Sequence, residues 1–199
     1  MSGTEEKNSK FMDKAALREK YKTIRKEFDH NEIQKNSIMI SNKIIESDVY
    51  KRADVIYIYE AFGNEINLDI VRDEALNQGK TLLYPRVTGD GIMVFHCVKD
   101  KKQLVKGYMG IMEPDECLPV YTKSDNDKTL MLVSGTVFDK HCGRIGMGKG
   151  FYDRYIQRED IDCIVGICSE FQIVDSIPMD KNDRYMDMVI TEKNIYKKA

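Results

Sequence analysis

Apolar positions in the first quarter of the chain recur at helical spacing. Five of them belong to the first segment: Ala16, Leu17, Tyr21, Ile24 and Phe28. Intervals of three and four residues place side chains on one face of a helix, so the pattern predicts an amphipathic helix from Lys14 onward. A stripe of isoleucines predicts a second helix over about 31–47.

The pattern then changes to short β-rich runs that alternate with helical stretches. Strands are predicted over five runs: 54–59, 81–84, 92–98, 130–133 and 163–168. Pro85 is expected to end the second of these, and a run over 187–190 is expected to be the last strand. Helices are predicted over 68–77 and 151–158. This alternation is typical of an α/β fold with a mixed or mostly parallel sheet, while the polar middle, 99–128, is predicted to form surface connections.

Length and charge narrow the class of protein. The 199 residues suit one α/β domain over 13–199, preceded by a disordered N-terminal arm over 1–12. The 31 basic and 33 acidic residues nearly balance, which disfavours nucleic acid or a membrane as partner. The start lacks a secretory core, and no apolar run is long enough to cross a bilayer, so a cytoplasmic protein is expected. Five cysteines without a CxxC pair and three isolated histidines indicate neither a disulfide framework nor a zinc site.

A glycine-rich segment, GRIGMGKGFYDRYI, lies between a predicted strand and a predicted helix. Its glycines are Gly143, Gly146, Gly148 and Gly150. Backbone without Cβ atoms can curl its N–H groups around an anion, and the next helix adds free N–H donors. Arg144 and Lys149 add full positive charges, and Asp153 could hold Mg²⁺. The segment therefore indicates a polyphosphate site.

Three other interpretations fit parts of this segment. It could be a flexible connection with solvated cations. The run from Gly143 to Lys149 also satisfies GxxxxGK, but Gly150 stands where a Walker-type loop needs Ser or Thr for Mg²⁺. A dinucleotide fingerprint fits less well, because Phe151 replaces its third glycine.

The string FDKHCGRIGMGKGFYDRY resembles the signature of the 5-formyltetrahydrofolate cyclo-ligase family. Other segments resemble the family in the same order along the chain: KAALR at 14–18, Glu65 within EIN, GKTLLYPRV at 79–87, GIMEP at 110–114 and ND at 182–183. The resemblance spans residues 14–192, so it does not depend on one loop.

The resemblance implies a three-layer α/β domain with helices on both faces of the sheet. It also implies an ATP- and Mg²⁺-dependent enzyme that converts 5-formyltetrahydrofolate to 5,10-methenyltetrahydrofolate, releasing ADP and phosphate. The formyl oxygen is phosphorylated, N10 closes the ring, and no protein nucleophile is needed. We expect a monomer that acts on small molecules.

Residue roles are carried over by the same resemblance. The residues expected to act in catalysis are Arg144, Lys149 and Asp153, with Asp153 as the Mg²⁺ ligand. The residues expected to contact the nucleotide are Lys14, Arg18, Arg144, Gly146, Met147, Gly148, Lys149, Gly150, Phe151, Tyr152 and Asp183. The residues expected to contact the folate are Tyr59, Glu65, Phe151 and Tyr152.

Several positions depart from the family pattern. Leu68, Met109 and Ser134 replace threonine, an aromatic residue and proline, respectively, and Phe151 replaces a tyrosine. These departures bear on the folate pocket and leave the expected charges in place. Two other functions stay open: a P-loop-like phosphohydrolase, and a regulator that binds nucleotide without turnover.

Overall fold

The computed structural model describes residues 13–180 and 183–198. Its helices are α1 Lys14–Glu27, α2 His30–Glu46, α3 Asp48–Arg52, α4 Asp69–Asn77 and α5 Phe151–Arg158. Its strands are β1 Val55–Tyr57, β2 Thr81–Gly89, β3 Ile92–Cys97, β4 Leu104–Lys106, β5 Met112–Pro114, β6 Thr129–Ser134, β7 Val137–Asp139, β8 Arg144–Ile145, β9 Cys163–Ile167, β10 Ile173–Val174, β11 Met188–Ile190 and β12 Ile195–Lys197. None of the helices in these ranges is long and apolar enough to cross a bilayer.

Seven strands form the central sheet, in the order β12-β11-β9-β6-β1-β2-β3. The five inner strands pair in parallel, and the strand at each edge is antiparallel to its neighbour. Two smaller sheets, β10-β7-β8 and β4-β5, lie beside it. The predicted α/β fold with a mostly parallel sheet is confirmed.

Helices cover both faces of the central sheet because successive strand residues point to opposite sides. Ile56 of β1 faces one side, where it packs in a buried cluster with Ile44 of α2 and Val71 of α4. Its neighbour Tyr57 faces the other side and packs with Tyr155 of α5. The layer arrangement that the resemblance implied is therefore present.

Helix α1 lies over the small sheet rather than the central one. The Asp13 carboxylate accepts a hydrogen bond from the Ala16 N–H (2.7 Å), which caps the helix where the sequence predicted its start. Leu17 packs with Val137 of β7 and Ile145 of β8 in a separate buried cluster. This packing brings α1 next to the glycine-rich segment that follows β8.

Three sequence predictions of strands were wrong or incomplete. Strand β2 does not end at Pro85 but runs to Gly89. β1 pairs with β2 only as far as Leu83, so the missing N–H of Pro85 removes no bond to β1. The middle of the chain forms the β4–β5 hairpin, and β12 follows the strand expected to be last.

The sheet changes direction between β1 and β6. The chain leaves β1 toward β2 on one side, while β6 leads to β9 on the other. In open α/β sheets, ligands bind beyond the carboxyl ends of the strands at such a point. Tyr59 follows β1, and Ser134 ends β6 at this position. The expected arm over 1–12 lies outside the described residues, and the single domain over 13–199 stays a prediction.

Candidate active site

A cleft of about 380 Å³ opens beyond the carboxyl ends of β1 and β6. This volume suits a small organic ligand. Every residue singled out from the sequence for a site role lines it: Lys14, Arg18, Tyr59, Glu65, Arg144, Gly146, Met147, Gly148, Lys149, Gly150, Phe151, Tyr152, Asp153 and Asp183. Residues as far apart in sequence as Lys14 and Asp183 thus share one cavity.

The glycine-rich turn connects β8 to α5. Gly148 and Gly150 adopt left-handed backbone angles, with φ of 97° and 66°, where a side chain would be strained. Two residues of the GxxxxGK match, Arg144 and Ile145, form strand β8, so only residues 146–150 form the turn. Gly150 precedes the first turn of α5 and has no side chain with which to cap its N–H groups. Those N–H groups are available to an anion.

Arg144 is fixed behind this turn and is not a free cation. Its side chain is 4% exposed, and Nη2 donates to Oδ1 of Asp153 (2.9 Å). Nη1 donates to the Ser134 carbonyl (3.1 Å), and the guanidinium lies over the Tyr152 ring. Its Nε is buried without a hydrogen-bond partner among the described residues. Arg144 therefore links the turn, the start of α5 and the end of β6.

Helix α1 contributes two cations to the same end of the cleft. Arg18 Nε donates to the Gly146 carbonyl (2.9 Å), and a Cβ on Gly148 would lie 3.3 Å from that nitrogen. The Lys14 ammonium forms ion pairs with Asp180 and Asp183 at the rim. Both cations lie one turn apart on the face of α1 toward the cleft.

Lys149 differs from these cations because its ammonium has no bonding partner among the described residues. The residue is exposed and lines the cleft at the centre of the turn. Within residues 13–180 and 183–198, no hydrogen bond or ion pair joins its Nζ to another side chain or carbonyl. Its charge is free to meet a ligand.

Glu65 is a buried carboxylate with a buried partner. Its Oε1 accepts from Nη1 of Arg25 (3.2 Å), and the two side chains are 8% and 9% exposed. Its Oε2 accepts from the Phe62 N–H (3.0 Å). Burial raises the pKa of Glu65, and the Arg25 guanidinium opposes that rise. The pair holds an anion at the cleft wall.

Aromatic side chains form the wall next to Glu65. Tyr59 is buried and donates from its hydroxyl to the Ile66 carbonyl (2.9 Å). Burial raises the pKa of Tyr152, so its hydroxyl stays protonated at neutral pH. Phe151 meets Tyr108 of the β4–β5 hairpin edge to face, with ring centroids 5.7 Å apart. A flat ring could stack against these surfaces.

The model of the "5-formyltetrahydrofolate cyclo-ligase family" matches residues 10–192, nearly the whole chain. The chain belongs to this family. The Schizosaccharomyces pombe protein "Probable 5-formyltetrahydrofolate cyclo-ligase" is 29% identical over 82% of this chain and 87% of its own length. A Caenorhabditis elegans protein of the same name is 28% identical over 90% and 92%.

A solved structure is similar to this cyclo-ligase family member over its full fold. It is the NMR structure of Aquifex aeolicus 5,10-methenyltetrahydrofolate synthetase, with 28% identity and a TM-score of 0.81. The match covers 94% of this chain and 93% of that chain. These likenesses establish that the chain is an enzyme of the cyclo-ligase family.

The cyclo-ligase fold brings residues to the site that the sequence did not reveal. Arg25 does not line the cleft but pairs with Glu65 behind its wall, and its position two helical turns after Arg18 on α1 was a usable signal. Glu60 lines the cleft and pairs with Lys101 (2.9 Å). Glu113 also lines it, and the GIMEP segment that contains Glu113 was noted without a role.

The departures from the cyclo-ligase pattern fall at different depths. Leu68 is buried in the core as the N-cap residue of α4, where the threonine that it replaces could cap the helix and leucine cannot. Ser134 offers its carbonyl to Arg144, as a proline could, but its side chain also hydrogen-bonds Glu65 and works against the burial that raises the pKa of that carboxyl. Met109 is 54% exposed at the mouth of the cleft. Met109, Ser134 and Phe151 all line the cleft, so these three departures change the surface that a ligand would meet.

Magnesium chemistry fits the donor set of this cleft. No group of three or more His, Cys, Asp or Glu side chains that could hold a metal is present in the described part of the chain. Mg²⁺ seldom uses such a cage, because it keeps waters and binds through one or two carboxylates and substrate phosphates. Asp153 pairs through Oδ1 with Arg144, and no group in the described part of the chain bonds to its Oδ2. One carboxylate beside a phosphate-binding turn fits this preference.

Proposed function

We propose that this chain converts 5-formyltetrahydrofolate to 5,10-methenyltetrahydrofolate and turns ATP into ADP and phosphate. The observation that carries the proposal is a single cleft lined by two unlike sets of residues. We assign the glycine turn with the unpaired cation Lys149 as its phosphate end, and the aromatic side chains with the buried carboxylate of Glu65 as its folate end. The proposal includes a cytoplasmic monomer that acts on two small molecules.

The phosphate end would act by charge neutralisation and alignment. During phosphoryl transfer from ATP to the formyl oxygen, negative charge spreads over the transferred group. Lys149, the first N–H groups of α5 and Arg18 would face the place where that charge develops. Preorganised donors of this kind stabilise the transition state without moving. Asp153 would hold Mg²⁺, which would supply positive charge to neutralise the phosphate group.

The folate end would hold the reduced pterin so that ring closure follows. Tyr59, Phe151 and Tyr152 would stack on the ring, and Glu65 would accept an N–H hydrogen bond. N10 then attacks the formyl carbon, the carbon–oxygen bond to the phosphorylated oxygen breaks, and inorganic phosphate leaves. Both substrates react with each other, so the protein contributes orientation and no nucleophile.

An absorbance assay with purified protein tests this function. The methenyl product has a chromophore that the formyl substrate lacks, so we expect absorbance to rise only with ATP, Mg²⁺ and 5-formyltetrahydrofolate together. Consumption of ATP without folate would instead support a phosphohydrolase. Nucleotide binding without turnover of either compound would support a regulator.

Asp153→Asn is expected to raise the Mg²⁺ concentration for half-maximal rate about tenfold or more, because an amide is a poorer ligand than a carboxylate. The measurement is a Mg²⁺ titration of methenyl formation. Asp160→Asn, at a side chain 94% exposed and paired with Lys123, is the matched control. An unchanged titration for Asp153→Asn would mean that Asp153 serves only as the partner of Arg144.

A further inference from the structure

Glu113 is a buried carboxylate that none of the steps above uses. It lies on β5, is 6% exposed and lines the cleft. Gly107, at the start of the hairpin turn, leaves the room that its side chain fills. A Cβ on Gly107 would lie 2.5 Å from Cδ and 2.8 Å from Cγ of Glu113. The hairpin is thus shaped around this carboxylate.

The Glu113 carboxylate has almost no polar partner among the residues that the structure describes. The Val87 N–H donates to Oε1 at 3.4 Å, which is a long hydrogen bond. Over residues 13–180 and 183–198, no basic side chain has a nitrogen within 4.0 Å of either oxygen. A buried charge without a counter-ion costs several kcal/mol unless something else satisfies it. The open side of this carboxylate is the cleft.

A ligand that satisfies Glu113 must present N–H donors. Two carboxylate oxygens match two adjacent donors on a planar ring, as a carboxylate matches the fork of a guanidinium. A 2-aminopyrimidin-4-one ring has such a pair in its ring N–H and its exocyclic amine. We propose that Glu113 binds this edge of the pterin and is a substrate-recognition residue. The inference rests on the proposed folate substrate and adds a residue that recognises its pterin ring.

The same chemistry assigns the two substrates to opposite ends of the cleft. Adenine presents one amine with ring acceptors beside it, so its edge would set a lone pair against one Glu113 oxygen. Phosphates would be repelled by the same charge and attracted by Lys149 and Arg18 at the glycine turn. Glu113 therefore favours binding of the pterin beside the β4–β5 hairpin and of the ATP phosphates beside the glycine-rich turn.

Glu113→Gln is the first test. The amide keeps the shape but sets an N–H against a ring donor, so we expect the KM for 5-formyltetrahydrofolate to rise about 10- to 100-fold. The KM for ATP should change less than about twofold, and the free energy of unfolding should not fall, because a buried unpaired charge is removed. Glu116→Gln, at an 84% exposed side chain on the same segment, is the matched control and should change neither KM.

A substrate analogue makes the assignment specific. We expect the native enzyme to prefer 5-formyltetrahydrofolate over its 2-desamino-2-methyl analogue by about tenfold or more in kcat/KM, since the analogue lacks one donor. In Glu113→Gln this preference should shrink toward one, which a general structural effect would not produce. Gly107→Ala should shrink it as well, because a Cβ there would meet the Glu113 side chain and displace the carboxylate.

The outcomes separate this inference from the proposed function. If the native protein makes methenyl product and both Glu113→Gln and Gly107→Ala keep the native KM and analogue preference, the role of Glu113 is wrong while the activity stands. If the native protein makes no methenyl product with all three components, the proposed function fails first. If the variants raise the KM for 5-formyltetrahydrofolate and lose the preference over the analogue, Glu113 is the residue that binds the pterin edge.

Discussion

Lys149→Ala is expected to lower kcat for methenyl formation about 10²-fold or more. The side chain is the uncommitted cation at the centre of the glycine turn, and removing a charge aimed at a transferring group typically costs this much. Arg144 cannot take over, because its guanidinium is already bound to Asp153 and to the Ser134 carbonyl. The measurement is steady-state kinetics at saturating ATP, Mg²⁺ and folate.

Two further variants give this experiment its controls. Lys140→Ala removes another exposed lysine, paired with Asp175 outside the cleft, and should leave kcat unchanged. Lys149→Arg keeps the positive charge but places it on a planar guanidinium, so its kcat should lie between those of Lys149→Ala and the native protein. If kcat for Lys149→Ala is close to that for Lys140→Ala, Lys149 does not take part in phosphate binding.

Arg25→Met is expected to lower the free energy of unfolding by about 3 kcal/mol or more, because it leaves the Glu65 carboxylate buried and unpaired. The double variant Arg25→Met, Glu65→Leu should recover much of that loss, since no charge then stays behind. Urea unfolding of the native protein and of these variants gives the comparison. Equal stability of the native protein and Arg25→Met would show that the ion pair contributes nothing to folding.

The decrease in the free energy of unfolding caused by Arg25→Met should also depend on pH. Burial raises the pKa of Glu65 in the folded protein, and the Arg25 guanidinium limits that rise. Without Arg25 the folded pKa rises further, so the folded state binds more protons than the unfolded state over a wider pH range. Stability then falls more steeply as pH increases. The destabilisation should therefore be larger at pH 7 than at pH 5, and the reverse trend would contradict this account of Glu65.

Local sequence was enough for features whose cause is local. Helix α5 was predicted over 151–158 and is observed as Phe151–Arg158, because glycines before it and an amphipathic period within it define both the start and the face. The glycine turn was found for the same reason. Strands β7 and β8 were missed because their pairing with each other is set by the fold and not by the pattern of either segment.

Site features that depend on distant pairing were not predictable from one sequence. Arg25 and Glu65 lie 40 residues apart, and neither shows in the sequence that the other neutralises it. The ion pair of Arg144 with Asp153 spans nine residues across a strand, a turn and a helix start, so both looked free to bind ligand. The burial of Glu113 depends on the bare backbone of Gly107 across a hairpin that the sequence did not predict.

The cleft takes its walls from Lys14 near one end of the chain and from Asp183 near the other. A site assembled from such distant segments is lost when the chain unfolds, so an occupant stabilises the folded protein as a whole. By mass action this amounts to about 2.7 kcal/mol at a concentration one hundred times the Kd. An occupied cleft would thereby lower the unfolded fraction that a protease can cleave.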